Sequence, residues 1–294
     1  MAIDWRIFTQ RPYIKSLSLE EQTRLFYIAN EKSIRYRSRS GTGPAGSSFP
    51  NNFSLNFDGT DDYVTAPIPV DAFKVATIRS FSFWVKINTL DAFTPLFSDT
   101  SSSSLFRRTN GFGVQNGRLR WALESLNVPT SVYIDTEKVD GTGTAPNIGD
   151  GNWHHVAVYN SVDSHTNKAN IVNSKIYLDG NKLTNFTVNN GSASVRGMTG
   201  GNIAFGAGNT AGFSAQIYLD GLIDEFAYFT NYELTDSDVT AIYGTGVPNN
   251  LNDLSTPPTA WYRFEEGSGT TVTDSIGSNN GTINGATYST DVPT

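Results

Sequence analysis

Three carboxylates crowd one short stretch of the chain, Asp58, Asp61 and Asp62 in Phe57-Asp58-Gly59-Thr60-Asp61-Asp62. A Gly-containing turn of this kind offers hard carboxylate and backbone oxygens, the donors that calcium takes. It lacks the Asp-x-Asp-x-Asp-Gly run of an EF-hand, and turn Asp residues also serve by accepting backbone N–H groups. Asp224 is the fourth candidate ligand. Read as a regular strand, 222–228 puts Asp224 on one face with Leu222, Phe226 and Tyr228, where a carboxylate needs an ion or hydrogen-bond donors beside it. Calcium is therefore the one cofactor the sequence suggests.

The carboxylates do not make a hydrolase signature. Retaining glycoside hydrolysis needs two carboxyl groups about 5 Å apart, presented by one strand face as in Glu-x-Asp-x-x-Glu. No such run occurs, and the adjacent pairs Asp224-Glu225 and Glu265-Glu266 point to opposite faces of a regular strand. A Gly-x-Ser-x-Gly elbow is missing too. His154 and His155 are strand neighbours that cannot chelate one metal together, and the third histidine, His165, has no ligand spacing to either. One of the pair is expected to pack in a sheet and the other to meet solvent. With no Cys in the chain, thiol catalysis and Cys-based metal sites are excluded. A non-enzymatic role is expected.

Two further sets could bind. Trp84, Trp121, Trp153 and Trp261 could stack on sugars, although each sits in an alternating segment where core packing is the default. Arg24, Lys32, Arg35, Arg37 and Arg39 form a basic arm. Residues 1–40 hold eight basic against four acidic side chains, leaving 13 against 24 in residues 41–294, so a +4 arm precedes a −11 body. An arm of this size on an acidic protein suits an acidic protein partner better than nucleic acid.

The elements that must position these residues follow from length and period. The 294 residues can bury a core without disulfides, and a chain with 27 Gly and 17% charged residues reads as turn-rich and strand-rich. Ser18-Leu19-Glu20-Glu21 fits a capping box, predicting a helix of about 15 residues from Leu19. The Gly/Ser-rich stretch 40–48 then marks a boundary near residue 45. Beyond it the period is two: Phe81, Phe83, Val85 and Ile87 share a face, and 153–159 and 175–183 read likewise. Shorter strands are predicted around 53–57, 62–66, 112–115, 118–123, 185–188, 202–206 and 222–229, with one short helix capped at Thr235. That pattern indicates an antiparallel sandwich or jelly roll. No apolar run is long enough to span a membrane.

Five segments in order, Leu55 to Val64, Phe81 to Val85, Gly151 to Ala157, Ile176 to Gly180 and Gly221 to Phe226, resemble the landmarks of concanavalin A-like, laminin-G-type jelly-roll domains. The resemblance implies an all-β sandwich of two antiparallel sheets over 46–247, here behind an N-terminal helical arm (1–45). Related jelly rolls often bind calcium near such loops. Residues 260–269, with Thr273-Asp274-Ser275 and Asn280-Gly281-Thr282, resemble a piece that commonly precedes the first landmark. The segment 248–294 is thus expected to complete the sandwich edge, of its own chain or a neighbour's. The ending 288–294 also resembles structural proteins of tailed bacteriophages. That likeness implies a virion structural or appendage protein, assembled in a host cytoplasm, homo-oligomeric, with the arm docked on other virion proteins. The alternative is a lectin or adhesin module recognising a host-surface glycan; a glycoside hydrolase comes third.

Overall fold

The computed structural model describes residues 49–67, 79–100, 110–123, 132–160, 174–183, 187–189, 202–208 and 216–294. The arm 1–45, with Arg24, Lys32, Arg35, Arg37 and Arg39, lies outside the described residues, as does His165. Residues 51–294 form one compact unit. Its strands are β1 (Ser54–Asp58), β2 (Tyr63–Pro67), β3 (Arg79–Ile87), β4 (Phe93–Thr100), β5 (Asn110–Gln115), β6 (Arg118–Leu123), β7 (Val132–Lys138), β8 (Trp153–Asn160), β9 (Lys175–Leu178) and β10 (Asn181–Lys182). They continue with β11 (Thr187–Asn189), β12 (Asn202–Phe205), β13 (Ala207–Gly208), β14 (Ile217–Tyr218) and β15 (Asp220–Thr230). After the helix α1 (Asp236–Tyr243) come β16 (Ala260–Tyr262), β17 (Thr271–Val272), β18 (Gly281–Asn284) and β19 (Thr287–Ser289).

The strands make two large sheets. One has the order β10-β9-β8-β3-β15-β1-β19, with β16 also paired to β15; the other runs β11-β7-β6-β5-β4-β12-β2-β18-β17. Every pairing is antiparallel among the described strands. Between the sheets, Phe81, Phe83, Phe97, Phe112, Trp121, Phe205 and Phe226 interlock, with Phe205 and Phe226 centroids 4.2 Å apart. Such aromatic pairs add to the burial of their area. The period-two face of β3 explains this core: Phe81, Phe83, Val85 and Ile87 all belong to it.

The other face of the first sheet carries a second apolar layer under α1. Thr235 caps the helix: its Oγ1 accepts the Asp238 N–H, and Asp238 Oδ2 accepts the Thr235 N–H at 2.9 Å. Tyr243 stacks on Trp84 at 5.8 Å, and the Tyr177 hydroxyl donates to Asp236 at 2.6 Å. Val239 and Ile242 are buried there with Leu234 and Leu251.

The last 35 residues are threaded through both sheets. β16 pairs with β15, β18 with β2, and β19 with β1, so the segment supplies β19 to one sheet end and β17 to the other. Glu265 and Glu266 act as stitches. Glu265 accepts both the backbone N–H of Asn52 and its side-chain amide at 2.8 Å, while Glu266 accepts the Thr273 N–H at 2.7 Å and the Tyr288 hydroxyl at 3.2 Å.

Candidate functional site

Consecutive strand residues point to opposite sides of a sheet. In β5, β6 and β7 the inward set is Phe112, Val114, Leu119, Trp121 and Ile134, all in the core. That leaves Gly111, Gly113, Arg120, Ala122, Tyr133 and Asp135 on the outer side. Register aligns them in two rows across the strands: Gly113, Arg120 and Asp135, then Gly111, Ala122 and Tyr133. The glycines and Ala122 make a floor without bulk.

Arg120 stands at the centre of this face. Its Nε and Nη2 donate to the two Asp135 oxygens at 2.6 and 2.7 Å, and its guanidinium lies 3.8 Å over the Tyr133 ring. The fork holds the carboxylate bidentately while the stack holds the guanidinium flat. Arg118 donates to the Thr136 carbonyl at 2.6 Å and Lys138 pairs with Asp140 at 3.0 Å. Phe93 borders the floor, since a Cβ on Gly113 would come within 3.2 Å of its ring. Arg120, Tyr133 and Phe93 all remain partly exposed. An aromatic edge beside a paired donor and acceptor can meet the apolar and hydroxyl faces of a small polar ligand.

The acidic turn between β1 and β2 is a separate place. Carboxylate oxygens of Asp58, Asp61 and Asp62 all lie within 4.8 Å of one another. Asp62 is buried, and its Oδ2 accepts the Asp58 N–H at 3.0 Å. Burial pushes its carboxyl pKa up, and the charges of Asp58 and Asp61 add to the rise. Asp58 Oδ1 accepts the Thr60 N–H at 2.8 Å. The remaining oxygens are hard and close, so these three residues are the ones that could hold a calcium ion.

The profile of the Laminin_G_3 family, described as the concanavalin A-like lectin/glucanases superfamily, matches residues 58–240. The chain belongs to this superfamily. No curated protein matches it. Among solved structures, a Bacteroides ovatus protein whose description proposes carbohydrate binding is similar at 14% identity and a TM-score of 0.55, covering 84% of this chain and 62% of that one. The mouse laminin α1 chain, domains LG4-5, is similar at 10% identity and 0.42, covering 65% of this chain and 45% of that one. The CBM40 of Ruminococcus gnavus IT-sialidase, bound to α2,3 sialyllactose, is similar at 12% identity and 0.43, covering 65% of this chain and 96% of that one. The first of these likenesses shows the fold.

Within this concanavalin A-like fold, two sequence expectations need correction. Asp224 does not share a face with Phe226 and Tyr228. A bulge between Asp224 and Ala227, with Glu225 at φ 51°, puts Phe226 in the inward position, so neither carboxylate faces the inter-sheet core and the pair does not alternate. Asp224 accepts from Asn51 Nδ2 at 2.9 Å and from the Glu225 N–H at 2.8 Å, and Glu225 accepts from Arg263 at 3.2 Å. Burial pushes both carboxyl groups up in pKa. Asp224 also stands four residues along β15 from Asp220, the register partner of Asp58. That is about 13 Å at strand rise, so Asp224 is not a fourth ligand of the acidic turn.

Second, neither histidine of β8 meets solvent freely. His155 is fully buried, with Nε2 2.8 Å from Ser82 Oγ, and burial pulls its pKa down to about 4. His154 is clasped between Asp179 at 2.8 Å and Asp150 at 3.0 Å. Burial opposes its charge, but the two carboxylates prevail and its pKa is raised. Trp84, Trp121 and Trp261 are buried, as the alternation of their segments led one to expect, and the half-buried Trp153 donates to Asp291 at 2.8 Å. Tyr133 is the aromatic that stacks with Arg120 on the outer side of this sheet. Sequence reasoning missed it because β7 was not recognised, although Arg118 and Arg120 alternating with Leu119 and Trp121 marked a polar outer side on β6.

Proposed function

We propose that the chain is a non-enzymatic carbohydrate-binding module, and that it holds sugar on the outer face of the nine-stranded sheet around Arg120, Asp135 and Tyr133. The observation that carries this reading is the guanidinium fixed between Asp135 and the Tyr133 ring above a floor of Gly111, Gly113 and Ala122. A rigid, partly exposed donor, held by a nearly buried carboxylate next to aromatic carbon, suits a pyranose ring, with hydroxyls on its rim and C–H groups on its faces. The Bacteroides ovatus neighbour, for which carbohydrate binding is itself proposed, supports the reading by fold. Screening wild type, Arg120→Ala and Tyr133→Ala against immobilised glycans tests it. Binding by wild type alone is expected; glycan binding equal in all three would move the site elsewhere.

A virion setting is a second proposal, carried by the +4 arm and the phage-like ending of the sequence. In it, Arg24, Lys32, Arg35, Arg37 and Arg39 dock on an acidic virion protein and present the sandwich outward. Failure of the full chain to copurify with particles would remove it.

A further inference from the structure

The charges on the proposed sugar face point to the class of sugar it takes, an inference that rests on the site assignment above. Among the described residues, the face and its rim carry three cations, Arg118, Arg120 and Lys138, and three anions, Asp135, Glu137 and Asp140. Each cation already has a partner within the chain: Asp135 for Arg120, Asp140 for Lys138 and the Thr136 carbonyl for Arg118. A site built for a carboxylate, sulfate or phosphate needs a guanidinium fork facing the ligand. Here the fork of Arg120 is turned onto Asp135, whose side chain is only 9% exposed. An anionic sugar would have to displace that carboxylate and leave it shielded from water, or approach it as a like charge. The 24 acidic against 13 basic residues of 41–294 add a repulsive field at long range.

What Arg120 and Asp135 still offer is neutral recognition. Two of the five guanidinium N–H groups are spent on Asp135, so three remain to donate, and each carboxylate oxygen keeps acceptor capacity. Adjacent sugar hydroxyls both donate and accept, so a vicinal diol can take the remaining Arg120 N–H groups and reach the small exposed part of Asp135 without breaking the ion pair. We propose that this face selects uncharged sugars with vicinal hydroxyls and discriminates against sialylated, uronate or sulfated glycans.

Isothermal titration of the full chain with neutral gluco-, manno- and galacto-oligosaccharides, beside the same chains carrying sialate, uronate or sulfate, tests the inference. Neutral members should bind at least about tenfold more tightly than charged counterparts, because like charges brought together oppose binding. Their affinity should hold between about 0.02 and 0.5 M NaCl, since no net charge is neutralised. Asp135→Asn should shift preference toward the charged members. Charged glycans bound more tightly by wild type, with affinity falling as salt rises and lost in Arg120→Ala, would overturn neutral selection while leaving the site in place. Glycan binding indifferent to Arg120→Ala would instead take down the site assignment, and this inference with it. Should Asp135→Asn fail to fold, the wild-type salt series alone decides.

Discussion

Breaking the Arg120–Asp135 pair from either side should have unequal costs, because the two partners differ in exposure. The Asp135 side chain is 9% exposed and that of Arg120 22%. Arg120→Ala strands a carboxylate that water barely reaches, a loss of about 2 kcal/mol, between the value of a surface pair and that of a buried one. Asp135→Ala leaves an arginine that can turn toward solvent and keep its stack on Tyr133, costing about 1 kcal/mol. The double variant leaves no stranded charge and should cost about 1.5 kcal/mol, a coupling of about 1.5 kcal/mol against the sum of the singles. For a sandwich of this size, Arg120→Ala then lowers Tm by roughly 4–8 °C. Urea denaturation of the four proteins measures the cycle. Single costs that simply add, within about 0.5 kcal/mol, would refute the idea that Asp135 depends on Arg120 and that the face is a preorganised unit.

If calcium binds the acidic turn, saturating it at about 100 times Kd should stabilise the protein by about 2.7 kcal/mol in thermal melts. Asp61→Asn should abolish that gain; identical melts of wild type in calcium and in chelator would remove calcium from the account. His154 binds its proton more tightly folded than unfolded, so its contribution is complete below its ordinary pKa of 6.5 and is lost as pH rises through the raised folded value. His154→Asn should flatten the stability profile as pH rises above about 6.5, and parallel profiles for the two proteins would argue against the Asp150–His154–Asp179 clasp. Gly206, at φ 76° with its missing Cβ directed into the Phe57 ring, should tolerate no side chain. Gly206→Ala is expected to cost about 2–4 kcal/mol, and a loss under about 0.5 kcal/mol would show that the strand end can repack.

The two-sheet sandwich was legible because its strands repeat with period two and its core aromatics fall on that period. Phe81, Phe83 and Trp121 declare their strands without help. β7 did not, since Val132–Lys138 sets the core residue Ile134 among Tyr133, Asp135 and Glu137, a pattern as polar as many loops. Without β7 the outer row of Arg120 with Asp135 could not be assembled, so the best candidate site went unseen. The bulge at Glu225 was equally hidden. Period-two reading assumes a regular strand, and one extra residue reverses every face after it. The short strands β16 to β19 carry two to four residues each, too few for any period, and their places are set by partners up to about 230 residues away in sequence. The acidic turn is the opposite case: its three ligand candidates lie within five consecutive residues, and proximity in sequence already implied proximity in space.

The central claim is that the outer face of the nine-stranded sheet holds sugar. It is tested most directly by titrating the tightest-binding neutral oligosaccharide into isotopically labelled full-length protein and following amide and side-chain NMR shifts. The account predicts saturable shifts concentrated at Gly111, Gly113, Arg120, Ala122 and Tyr133, with the Arg120 side-chain N–H signals among the largest. Saturable shifts confined to the acidic turn at Asp58–Asp62, or to the face covered by α1, would contradict it.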